Sequence, residues 1–127
     1  MTEIQYRADA FLSKEEMFAL RRAAWNEADW APVLSRSLGH VTAHAGSQLI
    51  GFVNIAWDGG AHAFLLDTTV HPHWQRWGIG TRLVQRAADL ARERGASWLH
   101  VDFEPHLLGF YRACGFRHTE AGLLRLQ

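Results

Sequence analysis

A β-branched run that ends at a proline and reopens, after two closely spaced glycines, as an amphipathic helix constrains this chain more than anything else in it. The run Phe64-Leu65-Leu66-Asp67-Thr68-Thr69-Val70 has strand composition, and Pro72 closes it because proline cannot donate to a sheet ladder. Beyond Gly78 and Gly80, Leu83, Val84, Ala87, Leu90 and Ala91 recur at helical spacing until Arg92, Arg94 and Gly95 supply the stop. A strand, a glycine-containing turn and a helix start present several unpaired backbone N–H groups and the positive end of a helix dipole to one point. Phosphate is the usual occupant of such a point.

Two familiar phosphate loops do not fit the turn. A Walker A loop needs Lys-Ser/Thr after its last glycine, whereas Gly80 is followed by Thr81-Arg82. The dinucleotide fingerprint needs a third glycine or alanine three residues on, where this chain has Leu83.

Around this unit the periodicities predict a strand, a helix, an irregular segment, three strands, a helix, a strand, a helix and two short final strands. Ile4-Gln5-Tyr6-Arg7 alternates like an edge strand, and Ser13 with Glu16 forms a capping box for a helix carrying Met17, Leu20, Ala23 and Ala24 to about Trp25. Gly46-Ser47-Gln48 and Asp58-Gly59-Gly60 are turns that flank the strand Leu49 to Trp57. Ser97 to Phe103 alternates with period two after the glycine-stopped helix, the βαβ pattern that makes two strands parallel neighbours. The expectation is one domain over residues 1–127, with a central mixed sheet flanked by helices, an α/β architecture.

Length and charge narrow the partners. A chain of 127 residues buries one substantial core, and 13 basic against 13 acidic residues leave no global field to recruit nucleic acid or an anionic membrane. No apolar run reaches the ~20 residues that span a bilayer, and the first residues lack a secretory pattern, so the cytoplasm is the expected location. Cys114 is the only cysteine, which excludes an intrachain disulfide, and it reads as a packing residue. The eight histidines do not fall at metal-ligand spacing, so no metal is expected.

Gln75-Arg76-Trp77-Gly78-Ile79-Gly80 resembles the Gln/Arg-x-x-Gly-x-Gly/Ala segment of the GNAT superfamily of acyl-CoA-dependent N-acetyltransferases. Phe110-Tyr111-Arg112-Ala113-Cys114-Gly115-Phe116 is similar to that superfamily's Phe-Tyr-x-x-x-Gly-Phe motif, in the right order and spacing. The similarity covers roughly residues 64 to 118. It implies the GNAT fold, in which the two parallel strands splay apart to admit acyl-CoA. Backbone groups of Thr69 and Val70 would then pair with the pantetheine arm. Gln75, Arg76, Trp77, Gly78, Ile79, Gly80 and Thr81 would hold the pyrophosphate, with Gly78 and Gly80 letting the main chain approach phosphate oxygen.

The chemistry implied is transfer of an acetyl group from acetyl-CoA to an amine by direct attack on the thioester. Tyr111 takes the family's general-acid position at the CoA sulfur. Asp67 is the first candidate base and Glu104 the second, with His100 and Asp102 a weaker pair. On a regular strand Asp67 and Thr69 share a face opposite Thr68 and Val70, so all four cannot address one slot unless a bulge intervenes. Glu104 stands where the family often has an asparagine.

Trp25, Glu27, Asp29 and Trp30 lie where the family places its acceptor loop. Two indoles beside two carboxylates suit a protonated small-molecule amine, and equally suit rings covering the sheet with acids capping a helix. The alternatives to a small-molecule enzyme are a non-catalytic acyl-CoA-binding or regulatory module and a protein N-acetyltransferase. The sequence does not fix the oligomeric state, a homodimer included.

Overall fold

The structure, a computed structural model, describes residues 3–26 and 29–127. Five strands, β1 (Ile4–Ala8), β2 (Gly39–Ala45), β3 (Gln48–Trp57), β4 (His62–Val70) and β5 (Trp98–Val101), form one sheet in sequential order. The first four pair antiparallel, and β5 joins β4 in parallel. Four helices accompany them: α1 (Lys14–Ala24), α2 (Ala31–Leu34), α3 (Ile79–Glu93) and α4 (Leu108–Ala113).

Local chemistry accounts for the element boundaries. The Ser13 side chain accepts from the Glu16 N–H at 3.1 Å while the Glu16 carboxylate accepts from the Ser13 N–H at 2.8 Å, the reciprocal box that starts α1. Gly95 takes φ 98° just after α3, a left-handed conformation that L side chains rarely adopt. On β3 the run Leu49 to Ile55 is buried throughout, because this central strand is covered on both faces.

Those two faces have different covers. Helix α3 lays Ile79, Leu83, Val84, Ala87, Leu90 and Ala91 on one face, packing with Val41, Val53, Ile55, Leu65 and Tyr111. Burying each Leu- or Val-sized side chain contributes about 1.5–3 kcal/mol. The opposite face carries a smaller cluster, in which Leu12, Met17, Leu20 and Trp30 cover Leu49 and Phe52.

Besides a register shift between Ala43 and His44 in the β2–β3 ladder, two irregularities bear on the site. In the β3–β4 ladder Phe52 faces Thr69 and Asn54 faces Leu66, so Val53 alone opposes both Asp67 and Thr68. This is a β-bulge, and Asp67 sits in it at φ 58°. The Thr69 hydroxyl, itself buried, donates to the Asp67 carbonyl at 2.7 Å and holds the bulge. The second irregularity is at the ends. β5 stops at Val101, two residues short of the expected Phe103, and the two final strands do not form: residues 116–127 join no ladder among the described residues. Gly115 at φ 100° turns the chain after α4, and the segment Arg117-His118-Thr119-Glu120-Ala121-Gly122 lacks the apolar alternation that fixes a register.

Away from these features a charged staple ties three elements together. Asp9, just past β1, accepts from Arg94 at 2.5 Å and from the His40 N–H at 3.1 Å, and Arg94 also donates to the Leu38 carbonyl at 2.8 Å. A Cβ on Gly39 would stand 2.5 Å from the Arg94 guanidinium, so the staple needs glycine there. Burial alone would raise the Asp9 carboxyl, but the hydrogen bonds from Arg94 and His40 outweigh it and hold it below its ordinary value. A carboxylate depressed in the folded state stabilises fully above its unfolded pKa, and that stabilisation is lost as pH falls through the folded value. Asp9→Asn is therefore expected to melt below wild type at neutral pH, with the gap closing below about pH 4. A gap that stays constant from neutral to acid pH would show that the charge contributes nothing. Thr69→Val, nearly isosteric, should cost about 1 kcal/mol of unfolding free energy through the lost bulge bond, read from the denaturant midpoint.

Candidate active site

The turn between β4 and α3 is built from alternating backbone hands. His71 extends the pairing by donating its N–H to the Ile50 carbonyl at 2.7 Å, and Pro72–Trp74 form one turn of 3₁₀ helix. Arg76 at φ 69° and Gly78 at φ 74° are left-handed, with α3 starting at Ile79. The first-turn N–H groups of Ile79, Gly80 and Thr81 have no carbonyl four residues back, and Gly78 offers no side chain to cap them. Successive N–H groups in mixed-handed backbone form an anion-binding concavity, reinforced by the dipole of this 15-residue helix. Gln75, Arg76 and Trp77 surround it, and the exposed Trp77 ring lies 5.2 Å from the Trp74 ring.

The two glycines differ. A Cβ on Gly78 would meet nothing within 4 Å, so its positive φ is what calls for glycine. A Cβ on Gly80 would point inward, 3.4 Å from Phe110 and 3.8 Å from Val70. These are ordinary contact distances, so packing alone does not call for glycine at Gly80. Arg82 turns away, its guanidinium 5.7 Å from the centre of the Tyr6 ring.

Beside the cradle the sheet opens. Register between β4 and β5 ends at Leu65 opposite Val101, whereas β4 runs on to Val70 with no β5 partner. The outer edge of 66–70 is therefore left without a neighbouring strand among the described residues, a slot in which an extended amide-bearing ligand fits as a strand would. Tyr111 of α4 borders it, buried and packed among Phe103, Phe110 and Phe116. Burial pushes its phenol up from the ordinary value, while a hydrogen bond with Thr68 pulls the other way. A phenol held protonated above neutral pH is a proton donor. Burial also raises the Cys114 thiol, opposed by a hydrogen bond with Thr81, so a packing role fits this residue better than a nucleophilic one.

The bulge divides the neighbouring side chains. Thr68 meets Tyr111 on one side, and Asp67 feels the charge of Arg21 on α1. Burial raises the Asp67 carboxyl and Arg21 partly offsets it, giving a more basic carboxylate than one in water. The base candidate and the residue that meets the acid candidate are thus neighbours on β4. Glu104 stands apart: it is exposed where β5 leads into the Pro105–Leu107 turn, and its side chain makes no hydrogen bond or ion pair among the described residues. His100 is engaged elsewhere, its Nε2 lying 2.8 Å from His62 Nδ1 and its ring stacked on Phe64.

The structure gives two of the four acceptor-loop residues another role. Trp30 is fully buried, stacked on Phe52 at 4.1 Å and 18°, and belongs to the smaller core because that cluster needs a large ring under α1. Asp29 accepts from the Ala31 N–H at 2.9 Å and so stabilises the start of α2. Glu27 lies outside the described residues. Trp25 alone of the four is half exposed, 5.8 Å from the Arg21 guanidinium.

Sequence reasoning misses Arg21, Thr68 and a groove of about 310 Å³ lined by Pro32, Val33, Arg36, Ser37, Asn54, Ala56 and Leu66. The groove runs beside the bulge, since Leu66 precedes Asp67, and the Ser37 hydroxyl donates to the Asn54 side chain in its wall. The one signal for Arg21 is its i,i+4 spacing to Trp25. Among the described residues no three His, Cys, Asp or Glu side chains are placed to hold a metal ion, and no helix is long and apolar enough to cross a membrane.

Comparison with known proteins adds the context. Residues 3–116 match the family model described as Acetyltransferase (GNAT) family. The chain is 31% identical over 72 residues to an uncharacterized N-acetyltransferase, ycf52, of Pyropia yezoensis, a stretch that covers 57% of this chain and 41% of that protein. It is 34% identical over 67 residues to serotonin N-acetyltransferase 2, chloroplastic, of Oryza sativa subsp. japonica, covering 53% of this chain and 34% of that one. The matched stretches span less than half the length of these relatives. Among solved structures, a GNAT family acetyltransferase from Streptococcus pneumoniae superposes with a TM-score of 0.82 at 25% identity, over 98% of this chain and 100% of that chain. A Bacillus subtilis acetyltransferase in complex with CoA superposes with a TM-score of 0.75 at 24% identity, over 91% of this chain and 77% of that one. With β4 running on past the end of its parallel partner β5, a cradle before α3 and a family match over residues 3–116, this chain belongs to the GNAT acetyltransferase family.

Proposed function

We propose that this chain transfers the acetyl group of acetyl-CoA to a primary amine of a small molecule. One observation carries the reading: where β4 loses its β5 partner, the bulge holds Asp67 and Thr68 side by side, and the buried Tyr111 phenol, raised by that burial, lies beside Thr68. The pantetheine arm lies in the slot along 66–70, and the N–H groups of Ile79, Gly80 and Thr81 receive the pyrophosphate. The thioester then sits at the bulge, between a carboxylate and a phenol.

The chain needs to manage two protons. The amine nitrogen attacks the thioester carbonyl carbon, forming the C–N bond, and gives up a proton to the Asp67 carboxylate directly or through water. The C–S bond breaks, and the Tyr111 hydroxyl supplies the proton that the departing sulfur takes up. The phenolate recovers a proton from solvent and the Asp67 carboxyl releases the amine's proton to it, leaving an amide and free CoA. Acid and base assistance of this kind contribute about 10²–10⁴-fold each.

The groove beside Leu66 sets the acceptor's size. Its volume of about 310 Å³ and its lining by Pro32, Val33, Ala56 and Leu66 suit an amine with an aliphatic or aromatic tail. The rice relative's name, serotonin N-acetyltransferase, supports an aromatic tail.

Release of free thiol from acetyl-CoA with a panel of small amines tests the activity. A chain that binds acetyl-CoA and releases no thiol with any amine would be the non-catalytic module instead. Tyr111→Phe should lower kcat by about 10²-fold with acetyl-CoA affinity near wild type, since only the proton donor is removed. Unchanged turnover would reassign the acid. For the cradle, Gly78→Asp should weaken acetyl-CoA binding at least about tenfold by placing a carboxylate at the anion position, because asparagine and aspartate tolerate left-handed φ. Gly80→Ala, whose methyl meets Phe110 at ordinary contact distance, should bind nearly as wild type. Calorimetric titrations in which the two variants behave alike would show that the turn before α3 holds no pyrophosphate.

A further inference from the structure

Arg21 is the residue that the acetyl-transfer chemistry leaves without a task. Its guanidinium centre lies 5.1 Å from the Trp30 ring and 5.8 Å from the Trp25 ring. Trp30 is itself stacked on Phe52, so the order Phe52, Trp30, Arg21 fixes the guanidinium against a rigid wall. Among the described residues the buried Nε–H has no hydrogen-bond partner, and Arg21 forms no ion pair. A partly buried cation with unused donors is costly unless something completes it. Asp67 feels this charge, yet the two side chains do not reach ion-pair distance.

We propose that the acceptor carries an oxyanion near its amine, bound by Arg21 while Asp67 receives the amine, so that the acceptor class is amino acids and amines of similar zwitterionic chemistry. The inference rests on the acetyl-transfer reading of the same site and narrows its substrate. Arg21 lies over Trp30, which stacks on Phe52, and Phe52 pairs across the ladder with Thr69, two residues beyond Asp67; a cation and a carboxylate brought this near without joining are complementary to a ligand with the reverse charges. The planar fork of an arginine matches a carboxylate or a phosphate through two parallel N–H bonds, a geometry that a lysine cannot reproduce. The indole rings of Trp30 and Trp25, 5.1 and 5.8 Å away, restrain that plane before the ligand arrives, which reduces the ordering cost of binding. The groove beside Leu66 then receives the ligand's apolar remainder.

Two matched pairs of acceptors test this: phenylalanine against phenethylamine, which differ only in the carboxylate, and O-phosphoethanolamine against ethanolamine, which differ only in the phosphate. Steady-state kinetics with acetyl-CoA should give the anion-bearing member of at least one pair a kcat/KM about tenfold or more above its partner, and the responding pair identifies the oxyanion. Arg21→Gln should bring that ratio to about one, mainly through KM, while Arg21→Lys keeps part of it. Should Arg21→Gln not fold, a several-fold fall of the ratio in Arg21→Lys serves as the readout. Preference for the uncharged tails, or a ratio that a stable Arg21 variant leaves unchanged, overturns the proposal.

Calorimetric titration of the same four compounds into the CoA-bound protein separates this claim from the activity. Arg21-dependent binding of an anion-bearing probe without acetylation of any amine upholds the subsite and removes the transferase reading. Acetylation of phenethylamine or ethanolamine with no preference for the anion does the reverse. Absence of binding by both anion-bearing probes also overturns the proposal.

Discussion

One extra residue in β4 determines where everything reactive stands. Because Val53 opposes both Asp67 and Thr68, the alternation of side chains restarts at Thr69, and a strand that would send neighbours to opposite faces in strict order is reset. The left-handed turn at Asp67 costs on the order of 1–2 kcal/mol for a residue with a Cβ, offset locally by the Thr69 hydroxyl bonded to the Asp67 carbonyl. A non-glycine residue kept in such a conformation at the mouth of a slot is a common mark of a site where geometry takes precedence over local ease.

The acyl-donor side and the acceptor side are correspondingly built from different chemistry. The proposed donor side is mostly main chain: an unpaired strand edge and the start of a long helix, both tolerant of side-chain change as long as Gly78 keeps its positive φ. The proposed acceptor side is made of side chains: Arg21 and Trp25 from α1 and its end, and Asp67 and Leu66 from β4. A backbone site binds what all such chains share, and a side-chain site admits what distinguishes one from another.

This division explains what is legible in the sequence. The capping box at Ser13, the hairpin at Gly46, the glycine stop at Gly95 and the helix stripe from Leu83 to Ala91 are local signals, and each element appears where its signal lies. The bulge enters the sequence only as a condition on Asp67 and Thr69 and has no mark of its own there, since it arises from the ladder with β3. Trp30 misleads for the same reason: a tryptophan beside acids has the composition of a binding wall, and only the stacking on Phe52 reveals a core ring. Arg21 escapes notice because a basic residue on a helix normally faces water, and its burial is set by indoles arriving from two later positions. The two absent final strands show the converse, where an expected order of elements runs past Gly115 without alternation to support it.

The unequal covers of the two sheet faces carry a thermodynamic consequence. Helix α3 is anchored through a continuous core that reaches β2, β3, β4 and α4, whereas α1 rests on the small cluster of Leu12, Met17, Leu20, Trp30, Leu49 and Phe52. Lifting α1 exposes only that cluster, so it takes less free energy than unfolding the domain, and it releases Arg21 and Trp25 while leaving the cradle and Tyr111 intact. On the proposed reading, the deeper half holds the acyl donor and the shallower half carries the acceptor's contacts, so local opening loosens the acceptor side first.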